Sequence, residues 1–462
     1  MLVYIFTFCT FVLFAISLKK VGPLPFPTFL ILFLGISQFM SILTASGVVP
    51  FEMHALYDYG GVRNDFTTVH ALYTSIALLA LFSLAGKFKA LRSVDFTGTL
   101  RRLLNTGMKT RFLWTLIAIS LCCVHLALYL LVVEWSELWF YETYLVVGMD
   151  ARWVAILGDR FSDAVLKMGS GFAILSCLCV CALIGTRHTT LKILAAALTL
   201  FYFTLLVSQH SRAAVFFPVM LAINFALLRV KGRTIVIPVL LVVAAISVMG
   251  ALIGRGTGRH GFSSLLETVT SPFVDYDPIV AMSHALMDIC QGIIVTIESL
   301  QLTPDFSWRY RILPFSPFPS FIDGYSAIRE ASEYRLHDYV PMSGAGEVYH
   351  FGWFFVGLLL FGYIALIRAH TRTAAKNPAI FILCNLLITM SLYILFAYPL
   401  RNALRFYWIA VVLVVIAGVA ARRSAKSAVN ALGRRKLTSS WRPQVTGASP
   451  SLVGDGSESK PF

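Results

Sequence analysis

Long apolar stretches alternate along this chain with shorter polar breaks. They run approximately over 1–18, 26–45, 68–86, 112–133, 169–186, 190–208, 212–228, 234–253, 348–367, 378–398 and 403–421. A helix needs about 20 apolar residues to cross the hydrocarbon of a bilayer. Most of these stretches have that length, and none shows the alternation of period two that marks an outer-membrane barrel strand. Helices are the remaining way to satisfy every backbone polar group in lipid. The pattern predicts an all-α polytopic integral membrane protein with about eleven transmembrane helices.

Composition narrows the class further. Of the 462 residues, 58% are hydrophobic and 13% charged, against about 25% charged in an ordinary soluble domain. Mean hydropathy is +0.77. A soluble globule, a disordered chain, a collagen and a disulfide scaffold are all excluded by these figures. The net charge of +15 would suggest a nucleic-acid partner if the basic residues clustered on one soluble face. Instead they fall in alternate breaks. With the amino terminus outside, the inner segments 19–25, 87–111, 187–192, 229–233, 368–376 and the tail hold 25 of the 38 Lys and Arg. Only Asp95, Asp455 and Glu458 accompany them. This asymmetry predicts a periplasmic amino terminus and a cytoplasmic carboxyl terminus. The chain then divides into helices one to eight over 1–253, a large periplasmic loop over 254–347, helices nine to eleven over 348–421, and a basic tail over 422–462. Arg422, Arg423, Arg434, Arg435 and Lys436 in the tail suit anionic lipid headgroups. The first stretch lacks the basic start of a signal peptide and is read as a retained span. Seven of the eight Cys fall inside expected spans without ligand spacing to His, which marks them as small packing residues.

The inner face is poor in carboxylates and carries no Gly-x-x-x-x-Gly-Lys-Ser/Thr loop, so neither an ATP-driven pump nor a cytoplasmic phosphosugar transferase is expected there. No cofactor and no metal ligand set is expected. The outer face is richer. Its long loop carries Pro304-Asp305-Phe306-Ser307-Trp308-Arg309-Tyr310-Arg311, and 279–303 reads as a short helix lying on the membrane. Trp308, Tyr310, Tyr325 and Tyr334 suit either glycan stacking or plain interfacial anchoring.

The sharpest outer signal is the position of Arg. Arg212 follows His210 and opens the seventh stretch. Arg255 closes the eighth in Gly254-Arg255-Gly256-Thr257-Gly258-Arg259-His260-Gly261. Arg401 and Arg405 flank the start of the eleventh. In this topology Arg212, Arg401 and Arg405 sit at helix amino ends, where the macrodipole disfavours cations by a few tenths to about 1 kcal/mol. Arg401 and Arg405 also repel at i, i+4. A bound phosphate or diphosphate would relieve both penalties. Arg at a membrane edge also snorkels to headgroups or pairs with a local carboxylate. The second signal is Gly344-Ala345-Gly346-Glu347-Val348-Tyr349-His350-Phe351-Gly352. Glu347 and His350 share a helix face there. Glu347 fits either a general base or a favourable helix-end carboxylate.

The string Gly-Glu-Val-Tyr-His-Phe-Gly-Trp from Gly346 to Trp353 resembles the Gly-Glu-x-Tyr-x-x-Phe-Gly signature of bacterial oligosaccharide repeat-unit polymerases, the Wzy-type O-antigen and capsule enzymes. Ser211-Arg212, Arg255-Gly256 and Arg401 resemble that family's Ser-Arg, Arg-Gly and late outer Arg positions, although Asn402 stands where an acidic residue often follows. The resemblance implies a metal-independent glycosyltransferase of the inner membrane acting at the periplasmic face. Its substrate would be an undecaprenyl-diphosphate-linked glycan, with membrane lipids and a chain-length regulator protein as partners and no nucleic acid. Arg212, Arg255 and Arg401 would clamp the diphosphate and Glu347 would act as base. Arg259, Arg405, His210, Tyr349 and His350 would line the substrate. An O-antigen ligase-like transferase and a lipid-linked glycan flippase remain alternatives. The flippase reading calls for ionisable residues at span centres, and there only His125 stands out.

Overall fold

The computed structural model describes residues 1–46, 63–92, 98, 108–133, 159–184, 186, 188–208, 211–228, 232–253, 292–318, 324–325, 328, 335–337, 340–372 and 378–439. Helices dominate. In chain order they are α1 (Leu2–Lys20), α2 (Leu30–Ala45, entered through a π-turn at Pro25–Phe29), α3 (Arg63–Ser83), α4 (Phe88–Arg92) and α5 (Met108–Val132). Next come α6 (Asp159–Leu183), α7 (Thr189–Ser208), α8 (Phe216–Leu228, after a 3-10 turn at Arg212–Val215) and α9 (Arg233–Ile253). The remainder are α10 (Gly292–Gln301), α11 (Trp308–Ile312), α12 (Gly344–Phe351), α13 (Trp353–Thr371), α14 (Pro378–Ala397) and α15 (Leu400–Ser439). The β-structure among the described residues is a small antiparallel ribbon, Arg335–His337 with Val340–Pro341.

Nine of the described helices are long and apolar enough to cross a membrane. The chain is a multi-pass membrane protein. All eleven apolar stretches are helical where described; the seventh and eighth are the two outside the nine. In the seventh, residues 212–215 wind as a 3-10 turn, leaving α8 with 13 residues, or roughly 20 Å at 1.5 Å per residue. The eighth is the 21-residue α9, whose side chains are described through Ser247. The ninth is offset: Gly352, at φ +101°, breaks 344–371 into α12 and the spanning α13. A residue with a Cβ is strained at that angle.

The chain divides into two compact units, Met1–Val414 and Val415–Phe462. The second is described as helix through Ser439. The first contains two apolar cores. One joins the early helices to α10, α12, α13, α14 and the start of α15 through Leu34, Tyr73, Ile293, Phe351, Phe381, Phe396 and Leu400. The other joins α5 through α8, with Cys122, Tyr129, Cys177 and Tyr202 at its centre. Large side chains such as Phe8, Trp114, Phe82 and Phe361 point away from both cores, as helices facing lipid require.

Two polar side chains inside these bundles show how such groups are satisfied locally. The Asn385 side chain on α14 accepts from Phe26 N–H at 2.7 Å and donates to Phe26 C=O at 2.9 Å. It thereby replaces the helical bonds missing around the Pro25–Phe29 turn. His125, the ionisable residue noted at a span centre, contacts Tyr202 Oη at 2.8 Å through Nδ1 and Val165 O at 2.9 Å through Nε2, and stacks on Phe172. Both ring nitrogens are engaged in helix packing. The seven described Cys are free thiols. Cys122, Cys177 and Cys384 approach backbone carbonyls of neighbouring helices at 3.7–3.9 Å, a closeness that small side chains permit.

Candidate functional site

The outer loop of the sequence reading is, where described, a folded platform packed against α3, the end of α14 and the start of α15. Its foundation is α10. Four β-branched apolar residues, Ile293, Ile294, Val295 and Ile297, are buried. The stretch 279–303 was expected as a short helix lying on the membrane; 279–291 lie outside the described residues. The apolar content of α10 instead drives it into the first core, with Gly292 against Phe396 and the Tyr73 hydroxyl. Thr296 Oγ1–H donates to Phe396 O at 3.3 Å.

Helix α12 grips α10 from another side. Ser343 caps α12 by accepting from Gly346 N–H at 3.0 Å. Its own N–H donates to Ser299 Oγ at 3.0 Å. His350 Nε2–H donates to Ser299 O at 2.7 Å. The helices touch at Gly346, where a Cβ would collide with Ser299 Cβ. A Cβ at Gly344 would come within 2.7 Å of Leu400 Cα. Gly344 N–H donates to Tyr398 O at 2.8 Å. The glycines of the Gly-Ala-Gly run thus allow α12 to wedge between α10 and the turn before α15.

Glu347 lies at the centre of that wedge and is 3% exposed. Its Oε2 accepts from Leu400 N–H at 2.7 Å, one of the free amides at the start of α15. Its Oε1 accepts from the Tyr310 hydroxyl at 2.8 Å. Burial, and then the neighbouring Glu347, hold the Tyr310 phenol well above its ordinary value, so it remains a donor. Tyr310 is stacked between Phe306 and Tyr325. Tyr325 in turn lies 4.1 Å beneath the Arg401 guanidinium. Arg401, 3% exposed, donates to the carbonyls of Leu313 and Phe318. Trp408 Nε1–H donates to Phe315 O at 3.1 Å. Residues 306–318 and Tyr325 are therefore tied to the start of α15 by a carboxylate, a guanidinium and an indole.

Comparison with family models, with curated proteins and with solved structures gives no match.

Of the residues singled out by sequence, the structure brings Glu347, Arg401, Tyr349 and His350 to one end of the first bundle. Tyr349 is exposed and packs edge-on against His350. Arg405, one turn beyond Arg401, is exposed while Arg401 is buried, so the pair do not share one environment. The backbone of Arg212 opens the 3-10 turn before α8. His210, Arg255 and Arg259 lie outside the described residues. Two aromatics weighed as interfacial anchors, Tyr310 and Tyr325, are core residues of the platform, and Trp308 alone of the described set is exposed.

One group was missed by sequence reading. Glu298 is half-buried on α10, and burial pushes its carboxyl from 4.5 up to about 7. The sequence signal was an acid standing alone in the apolar run Ile293-Ile294-Val295-Thr296-Ile297-Glu298. Among the described residues no three His, Cys, Asp or Glu side chains gather in a way that could hold a metal ion.

Proposed function

We propose that this chain is a membrane glycosyltransferase that joins polyprenyl-diphosphate-linked oligosaccharide repeat units, moving the growing glycan onto a new lipid-linked unit at the periplasmic face of the inner membrane. The observation that carries the reading is the construction around Gly344–Gly352. The string that resembles the polymerase signature forms a separate helix, α12, that fastens a folded, aromatic-rich platform to the ends of membrane helices. A polymerase needs such a platform beside lipid, because its glycan is polar and its carrier is not.

In the reaction, a hydroxyl oxygen of the acceptor sugar attacks the anomeric carbon of the donor glycan. The carbon–oxygen bond to the diphosphate breaks, and its electron pair leaves with the lipid diphosphate. Cations around the departing diphosphate lower the barrier by stabilising the charge that develops. Arg212, Arg255 and Arg259 are proposed for that clamp, with Arg405 joining from the exposed face of α15. Tyr349 and the exposed Trp308 offer faces on which sugars stack. Arg401 and Glu347 serve the clamp by holding the platform in place.

The test is complementation. Bacteria lacking their own repeat-unit polymerase, but retaining its repeat-unit supply, receive this chain or an empty vector. A ladder of lengths on the lipid carrier supports the proposal. Single units only, with the protein present in the membrane, refute it.

A further inference from the structure

The short helix α11 presents two faces. Tyr310 turns inward and donates to Glu347. Trp308 and Ile312, at i and i+4, share the opposite face and are 62% and 45% exposed. We propose that this outward face is docked on the bilayer, which makes α11 an interfacial helix with Ile312 among acyl chains and Trp308 at headgroup level. The inference draws nothing from the polymerase chemistry and is tested separately from it.

The depth follows from α13. That helix has 19 residues, about 28 Å at 1.5 Å per residue, and a bilayer's hydrocarbon is about 30 Å thick. It has no residues to spare, so its first turn lies at the hydrocarbon boundary. Gly352, at φ +101°, ends the helix axis there. Phe355 belongs to that first turn. Trp308 meets the Phe355 ring edge-on at 5.7 Å between centroids, and Phe315 meets the same ring at 5.6 Å. Two points of the segment 308–315 are thereby fixed at the depth of the boundary.

Continuity with the lipid-facing surface names the occupant. Phe354, Leu358 and Phe361 recur at i, i+4 and i+7 along α13 and are all exposed, the stripe a spanning helix turns to lipid. Phe354 packs against Phe355 at 5.4 Å, the ring that Trp308 also touches. The outward face of α11 therefore joins the upper end of that stripe with a single ring between them. Trp353, 83% exposed, opens the span. Trp353 and Trp308 together make an aromatic belt of the kind found where lipid meets water. A Trp in such a belt keeps its apolar body against lipid and its polar edge in water. Arg309, the residue after Trp308, is exposed. Its stem can lie along apolar surface while the guanidinium reaches a headgroup phosphate. So placed, α11 clips the platform between the bilayer on one face and Glu347 on the other.

The experiment uses the full chain reconstituted in phosphatidylethanolamine–phosphatidylglycerol vesicles. A nitroxide is attached at Ile312→Cys, with Leu358→Cys as the lipid-facing reference and the unsubstituted chain, with its own Cys, as background. Collisions with oxygen, which concentrates in hydrocarbon, are compared with collisions with a water-soluble nickel chelate. The Ile312 label is expected to meet oxygen more than nickel, as the Leu358 label does. Collisions mainly with nickel put α11 in water and overturn the inference. Exclusion of both reagents means that protein covers the face, whether a second copy or another partner, and overturns it too. A label can disturb a short helix, so a second reading uses none. Wild type and Trp308→Phe are compared for fluorescence quenching by phospholipid brominated near the headgroup end of its acyl chains. Loss of an indole at that depth should lower the quenched share of the emission. An unchanged or larger quenched share overturns the inference.

Discussion

At the scale of single residues, three charged side chains at one end of the bundle have different employment. Glu347 caps the start of α15 and receives the Tyr310 hydroxyl. Arg401 is spent on two carbonyls and the Tyr325 ring. Glu298 alone is half-buried without a partner among the described residues. Its raised value has a consequence for stability. Folding holds the proton more tightly than the unfolded chain does, so the group's favourable contribution is full below about 4.5 and is lost as pH rises through about 7. Glu298→Gln does not titrate. Its melting temperature relative to wild type should rise across that window and level off above it, measured in detergent from pH 4 to pH 8. A constant difference would show that the carboxyl is not desolvated. Sequence alone displayed Glu298 as an isolated acid but could not distinguish it from Glu347. The distinction depends on which oxygens are already bonded, and those bonds join residues 37 and 53 positions apart.

At the scale of elements, close approaches decide the architecture. Gly346→Ala would drive a Cβ into Ser299, on backbone that cannot retreat because Gly344 is already tight against Leu400. Overpacking of this kind costs about 1–3 kcal/mol, occasionally more. The expected readout is faster protease cleavage within 302–318 in the folded protein, with partial reversal by adding Ser299→Gly, which removes the obstructing side chain. Cleavage unchanged from wild type would mean that α12 and α10 do not pack as described. Asn385→Leu should act differently. It leaves the Phe26 N–H and C=O buried without partners, at about 1–3 kcal/mol for each group, and should lower the melting temperature without opening the platform. The spans were legible in sequence because twenty apolar residues in a row admit few readings. Breaks within them were less so. Gly352 was visible, but its role as the joint between α12 and α13 depends on a positive φ that many glycines do not adopt. The burial of 292–301 was not legible within the expected helix 279–303, because an apolar helix reads alike on a membrane and inside a bundle.

At the scale of the whole molecule, the basic residues in alternate breaks argue that the platform faces the periplasm and the tail the cytoplasm. Protease added to intact spheroplasts should therefore cut within 302–318 and spare an epitope placed after Phe462; the reverse pattern would invert the orientation. The multi-pass helical class was legible in sequence through apolar length. The account as a whole stands on bond formation between lipid-linked units. Its most direct test is reconstitution of the purified chain in phospholipid vesicles with a polyprenyl-diphosphate-linked oligosaccharide unit, and without nucleotide. The expected result is carrier-linked glycan of two and more units, with one polyprenyl diphosphate released for each bond formed. Single units that remain single, or that cross the bilayer unjoined while the protein stays folded, would contradict it.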